Sequence, residues 1–84
     1  MDNRTKKRAL QLFAQEKPFH TRIGGYKFTF EFDNINVYVT PQGGKKLRET
    51  AKIRKEYAPQ LKQALEWAIE LKEALQSWGI YYGF

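Results

Sequence analysis

The chain has 84 residues, no cysteine, 42% apolar and 15% aromatic residues, and a formal net charge of +6. These values exclude a disulfide scaffold and thiolate zinc sites, and they suit one small domain, residues 1–84, whose core rests on aromatic rings. No stretch approaches the roughly 18 apolar residues of a membrane span, and the polar start Met1 to Arg8 has no signal-peptide apolar region, so a cytoplasmic, reducing setting is expected.

Asp2 and Asn3 are cap-competent residues ahead of Arg4 to Glu16, a segment without Gly or Pro that is rich in helix formers. Ala9, Leu10, Leu12 and Phe13 give this helix an apolar side, and Arg4, Lys7, Arg8 and Gln11 lie opposite. Pro18 is expected to end it, because the residue before a proline is pushed out of helical geometry.

Phe19 to Thr40 reads as a three-stranded antiparallel meander with two tight turns, Gly24-Gly25 and Asp33-Asn34. The first turn sets Ile23 opposite Tyr26, Thr21 opposite Phe28 and Phe19 opposite Phe30. The second sets Phe32 opposite Ile35, Phe30 opposite Val37 and Phe28 opposite Val39. Phe19, Ile23, Tyr26, Phe28, Phe30, Phe32, Ile35, Val37 and Val39 then share one apolar face. His20, Arg22, Lys27, Thr29, Glu31, Asn36, Tyr38 and Thr40 occupy the other.

Pro41-Gln42-Gly43-Gly44 breaks the pattern, and Lys45 to Trp78 reads as a long helix stopped by Gly79. Ile53, Tyr57, Leu61, Ala64, Leu65, Ala68, Leu71 and Leu75 form its apolar stripe, with Trp67 and Trp78 at the edge. Pro59 interrupts it: either the helix kinks near Lys55 to Ala58, or it splits and Pro59 opens a second helix at its first turn. The tail Ile80-Tyr81-Tyr82-Gly83-Phe84 is apolar enough to expect docking against the core, the sheet edge or a partner.

Charge is unevenly spread. Residues 1–55 carry 13 Lys or Arg against 5 Asp or Glu, and residues 56–84 carry 2 against 4. A basic excess confined to part of the chain suggests an anionic partner. On the expected long helix Lys45, Arg48, Lys52 and Lys55 fall together, and Lys45-Lys46 sit where the helix dipole is already positive, a placement that costs stability and favours anions. The chain is therefore expected to bind nucleic acid, DNA or RNA, with Lys45, Lys46, Arg48, Lys52 and Lys55 on phosphates. Arg4, Lys7 and Arg8 would join them from the first helix, and Arg22, Lys27 and Tyr38 from the sheet.

The alternative is a small protein-interaction factor, such as a phage-type inhibitor or an assembly subunit. It would work through Trp67, Trp78, Ile80, Tyr81, Tyr82 and Phe84, with its positive charge meeting an acidic protein. A homodimer is compatible with either expectation. Catalysis is not expected: one histidine, His20, one serine, Ser77, and no cysteine cannot assemble a triad. Glu66, Glu70 and Glu73 lack a histidine or a second acidic helix to make a metal site, and no cofactor is implied. Gly43-Gly44-Lys45-Lys46 is not a nucleotide-binding loop, since no hydroxyl follows the lysine to hold magnesium.

The order of helix, three antiparallel strands and long helix, with Gly43-Gly44-Lys45-Lys46 opening the last helix and Lys52 further along it, resembles the layout of double-stranded RNA-binding domains. It is also similar to the Alu-binding subunits of the signal recognition particle. Double-stranded RNA-binding domains join their first two strands by a longer loop carrying a histidine, where this chain has only Gly24-Gly25, and Pro59 has no counterpart in them. No residue is carried over from the resemblance. The expected fold is α+β: a helix, a three-stranded meander and a long, kinked or split C-terminal helix, with both helices on one face of the sheet.

Overall fold

A computed structural model of the chain describes residues 1–77. The expected contributions of Trp78 and of Ile80, Tyr81, Tyr82 and Phe84 lie outside the described residues. Six elements follow one another: α1 (Asn3–Ala14), β1 (Phe19–Ile23), β2 (Tyr26–Phe32), β3 (Val37–Pro41), β4 (Leu47–Arg48) and α2 (Pro59–Ser77). The fold is α+β, with a four-stranded antiparallel sheet in the order β1-β2-β3-β4 and both helices packed against it.

Asp2 opens α1: its Oδ1 accepts the Thr5 N–H at 2.8 Å, satisfying one of the free donors of the first turn. The helix ends at Ala14, four residues before Pro18. Glu16 takes a left-handed conformation (φ 59°), so that its N–H reaches the Phe13 carbonyl and the Lys17 N–H reaches the Leu12 carbonyl.

The Gly24-Gly25 turn has positive φ at both residues, 56° and 85°, the backbone that matches strand twist in a two-residue hairpin. It yields the expected register, Ile23 with Tyr26, Thr21 with Phe28 and Phe19 with Phe30. The second connection differs. Asp33 Oδ1 accepts both the Ile35 N–H (2.9 Å) and the Asn36 N–H (2.7 Å), which closes a four-residue loop, Asp33 to Asn36, instead of a two-residue turn. Phe32 therefore pairs with Val37, Phe30 with Val39 and Phe28 with Pro41. The slip is two residues, an even number, so the faces are preserved although the partners change. Ile35 leaves the apolar face for the loop, where it is 66% exposed, and Tyr26 at the hairpin end is 56% exposed.

The largest correction concerns residues 45–58. They do not open a helix. Gly44 N–H bonds the Pro41 carbonyl (2.9 Å), the chain turns back, and Leu47 and Arg48 pair with Val39 and Tyr38 as a fourth strand. The ladder continues through the Glu49 N–H to the Val37 carbonyl at 2.9 Å. This outcome pairs backbone groups of β3 that a helix starting at Lys45 would leave open, and it sets Leu47 against the core. Residues 49–58 then run irregularly, and Pro59 is the first residue of α2, where its missing N–H costs nothing. Neither alternative at Pro59 is found as expected: Pro59 does open a helix at its first turn, but the segment before it is strand and loop, so there is no first helix to kink or split off. With no helix at Lys45, the layout shared with double-stranded RNA-binding domains and the Alu-binding subunits is lost.

The core joins Ala9, Leu10 and Phe13 of α1, the apolar face Phe19, Ile23, Phe28, Phe30, Val37 and Val39, and Ala64, Leu65, Ala68, Leu71 and Leu75 of α2. The last set is the expected stripe beyond Pro59; Ile53, ahead of it, is exposed. Phe30 lies at the centre, 5.9 Å from the Phe19 ring and 6.3 Å from the Trp67 ring. Burying such a side chain contributes about 1.5–3 kcal/mol.

Glu49 is the one buried charged residue among those described, at 4% exposure. Its Oε2 accepts the Val37 N–H (3.1 Å) and its Oε1 lies 3.4 Å from Lys72 Nζ. Lys72 also donates to the Ile35 carbonyl and to Asn36 Oδ1. One lysine of α2 thus holds the β2–β3 loop and the end of β4 together. Replacing Glu49 by Ala is expected to cost about 3 kcal/mol, because Lys72 and the Val37 N–H lose their partner in a water-poor site; urea unfolding measures it.

Hydrogen bonds from the backbone of Asn36 and from the Tyr38 hydroxyl hold the Asp33 carboxyl below the usual carboxylate range, and those of Thr5 do the same for Asp2. Stability from a lowered carboxyl is present above its unfolded pKa and is lost as pH falls through the folded value. Thermal stability is expected to decline below about pH 4, and an Asp33→Asn variant to show a shallower decline over that range.

Candidate functional site

Both helices cover the same face of the sheet, which leaves the other face open. Cross-strand partners share a face, so the register sorts this surface into rows. Arg22 faces Lys27. His20 faces Thr29, which faces Thr40. Glu31 faces Tyr38, which faces Arg48. Tyr38 was expected opposite Thr29; the four-residue loop moves it beside Glu31.

The third row is knitted together. Lys46 Nζ lies 4.7 Å from the centre of the Tyr38 ring and 3.8 Å from Glu31 Oε1. The Tyr38 hydroxyl donates to Asp33 Oδ2 at 2.8 Å, and Arg48 donates to Asn36 Oδ1 at 3.3 Å. Here cations and carboxylates compensate one another.

At the opposite end of the face no such compensation occurs. Arg22 and Lys27 are directly opposed and exposed, and neither makes an ion pair among the described residues. Like charges facing each other across strands destabilise a hairpin. Beside them His20 Nδ1 and Thr29 Oγ1 lie in hydrogen-bond contact at 3.0 Å. The Pro41–Gly44 turn rises as a second wall, held by the Gln42 N–H to the Lys27 carbonyl (3.0 Å). Gly44 packs so closely that a Cβ there would meet Pro41 Cγ at 2.6 Å. Together these residues line an open trough of about 500 Å³ whose lining, among the described residues, carries Arg22, Lys27 and His20 and no carboxylate.

The other expected contacts scatter. Lys45 and Lys46 occupy the approach to β4, and Lys52 and Lys55 the irregular segment after it, so the basic helix face they were to form does not exist. Arg4, Lys7 and Arg8 are exposed on α1, which lies across the sheet from Arg22 and Lys27. Trp67 is half-buried and stacked on Phe30, a core position. Glu70 takes the Met1 amino group at 2.9 Å. Among the described residues no three His, Asp or Glu side chains gather to hold a metal ion, and no helix is long and apolar enough to cross a membrane.

Sequence reasoning found the Arg22–Lys27 and His20–Thr29 pairs from the Gly24-Gly25 turn alone. It missed the wall formed by Pro41 to Gly44, for which no periodic signal exists, and it missed Glu49, which lay within a segment read as helix.

If the Arg22–Lys27 opposition is unfavourable as it stands, Arg22→Glu should raise stability by about 0.5 kcal/mol through a cross-strand ion pair, read as a higher midpoint in urea at low salt and a smaller gain at high salt.

No family model matches the chain, and no curated protein or solved structure matches it.

Proposed function

We propose that this chain is a non-enzymatic, cytoplasmic interaction factor that docks an acidic protein on the uncovered face of its sheet. The observation that carries the reading is the trough end of that face, where two opposed cations stand without a carboxylate among the described residues, on a surface that neither helix covers. An unrelieved cost of this kind is compensated when a partner brings negative charge. Two features favour a protein over a nucleic acid as that partner. Glu31 and Asp33 stand on the same face and repel a phosphate track. The cations sit at two ends of a sheet, not along one helix, so they do not follow a regular phosphate spacing.

Fluorescence anisotropy with a labelled peptide of alternating Glu and Leu, a single-stranded DNA and a duplex RNA, each across a salt series, tests the reading. The peptide is expected to bind, with affinity falling as salt rises, and both nucleic acids to bind more weakly than the peptide. An Arg4→Gln, Lys7→Gln, Arg8→Gln variant is expected to keep the wild-type affinity, since α1 lies across the sheet. Tighter, steeply salt-dependent binding of either nucleic acid overturns the reading in favour of phosphate recognition. Loss of the peptide in the α1 variant moves the interface to the other side of the molecule.

A further inference from the structure

Resting on that reading, we infer that the trough between the β1–β2 hairpin and the Pro41–Gly44 turn is the anchor subsite, which takes the carboxylate of a single Glu or Asp side chain from the partner protein. The trough of about 500 Å³ is large enough for one such side chain with its neighbouring backbone. Its floor is cationic. Arg22 offers a planar fork of donors suited to both oxygens of a carboxylate, and Lys27, directly opposite, supplies a point charge. Thr29, in contact with His20, and Thr40, its cross-strand partner, add polar groups on the same floor. The wall is tied to the sheet by the Gln42 N–H on the Lys27 carbonyl and closed on itself by the Gly44 N–H on the Pro41 carbonyl. A preformed wall spares the ordering cost that a mobile loop would add on binding.

The other end of the face is electrostatically different. Lys46 and Arg48 already have partners in Glu31, Tyr38 and Asn36. An incoming carboxylate gains less there, because it must compete with contacts already made. At Arg22 and Lys27, which make no ion pair among the described residues, it removes a repulsion without breaking one.

Two-dimensional amide NMR of the full chain titrated with N-acetylglutamate, and separately with inorganic phosphate and with the Glu-Leu peptide, tests this inference. Saturable shifts are expected at Arg22, Lys27, Thr29 and Gly43–Gly44 with N-acetylglutamate, weaker ones with phosphate, and the same residues are expected to lead the response to the peptide. Arg22→Gln is expected to weaken the N-acetylglutamate response roughly tenfold, the size of effect that follows from losing a bidentate charged contact. Its thermal midpoint is expected to be no lower than wild type, a combination that a purely structural arginine does not give. Stronger binding of phosphate than of N-acetylglutamate overturns the carboxylate assignment. Peptide shifts confined to Lys46, Arg48 and Tyr38 overturn the trough as anchor and leave docking on this face standing. No shift on the outer face with any of the three overturns both.

Discussion

The structure hangs on a carboxylate removed from water. Glu49 accepts the Val37 N–H and meets Lys72, and Lys72 reaches on to the Ile35 carbonyl and to Asn36. Four parts of the chain converge there: the β2–β3 loop, the start of β3, the residue after β4, and the middle of α2. A two-residue strand such as β4 has too few ladder bonds to hold itself in place. Anchoring its exit to the helix on the far side of the sheet gives it a fixed position, and the irregular segment to Pro59 can then be spanned without regular structure.

That anchoring also shapes the open face. Once β4 is fixed alongside β3, Lys46 lies over Tyr38 and next to Glu31, and Arg48 reaches Asn36, so the charges of the third row are satisfied internally. Among the described residues the hairpin end of the sheet receives no comparable partner. Arg22 and Lys27 keep their opposition, and the Pro41–Gly44 turn walls them into a trough instead of neutralising them. The electrostatic asymmetry of the face thus follows from where the fourth strand ends, and the proposed docking of an acidic protein rests on it.

Local chemistry and long-range packing divide the account unevenly. The Asp2 cap, the Gly24-Gly25 hairpin with its register and the apolar stripe beyond Pro59 were all legible, because each depends on residues within a turn or two of one another. The Arg22–Lys27 and His20–Thr29 pairs of the candidate site came with that hairpin. The Asp33 loop was misread for an equally local reason: an aspartate that can bond the two backbone N–H groups ahead of it competes with a tight turn, and residue type alone does not rank the two.

What the sequence determined by itself is the alternation of the strands, the helical period after Pro59 and the sign of the charge, all properties of near neighbours that survive a register slip of two. What only the tertiary structure decided is the fate of residues 45–58. Their basic residues recur at a spacing that a helix would organise into a stripe, but a helix there would have left β3 backbone groups unpaired. Pairing Leu47 and Arg48 with β3, burying Glu49 against Lys72 and raising the Pro41–Gly44 turn over Arg22 and Lys27 all depend on groups far apart in the chain. Their energies appear only once the sheet and α2 are in place, so no local pattern could announce them.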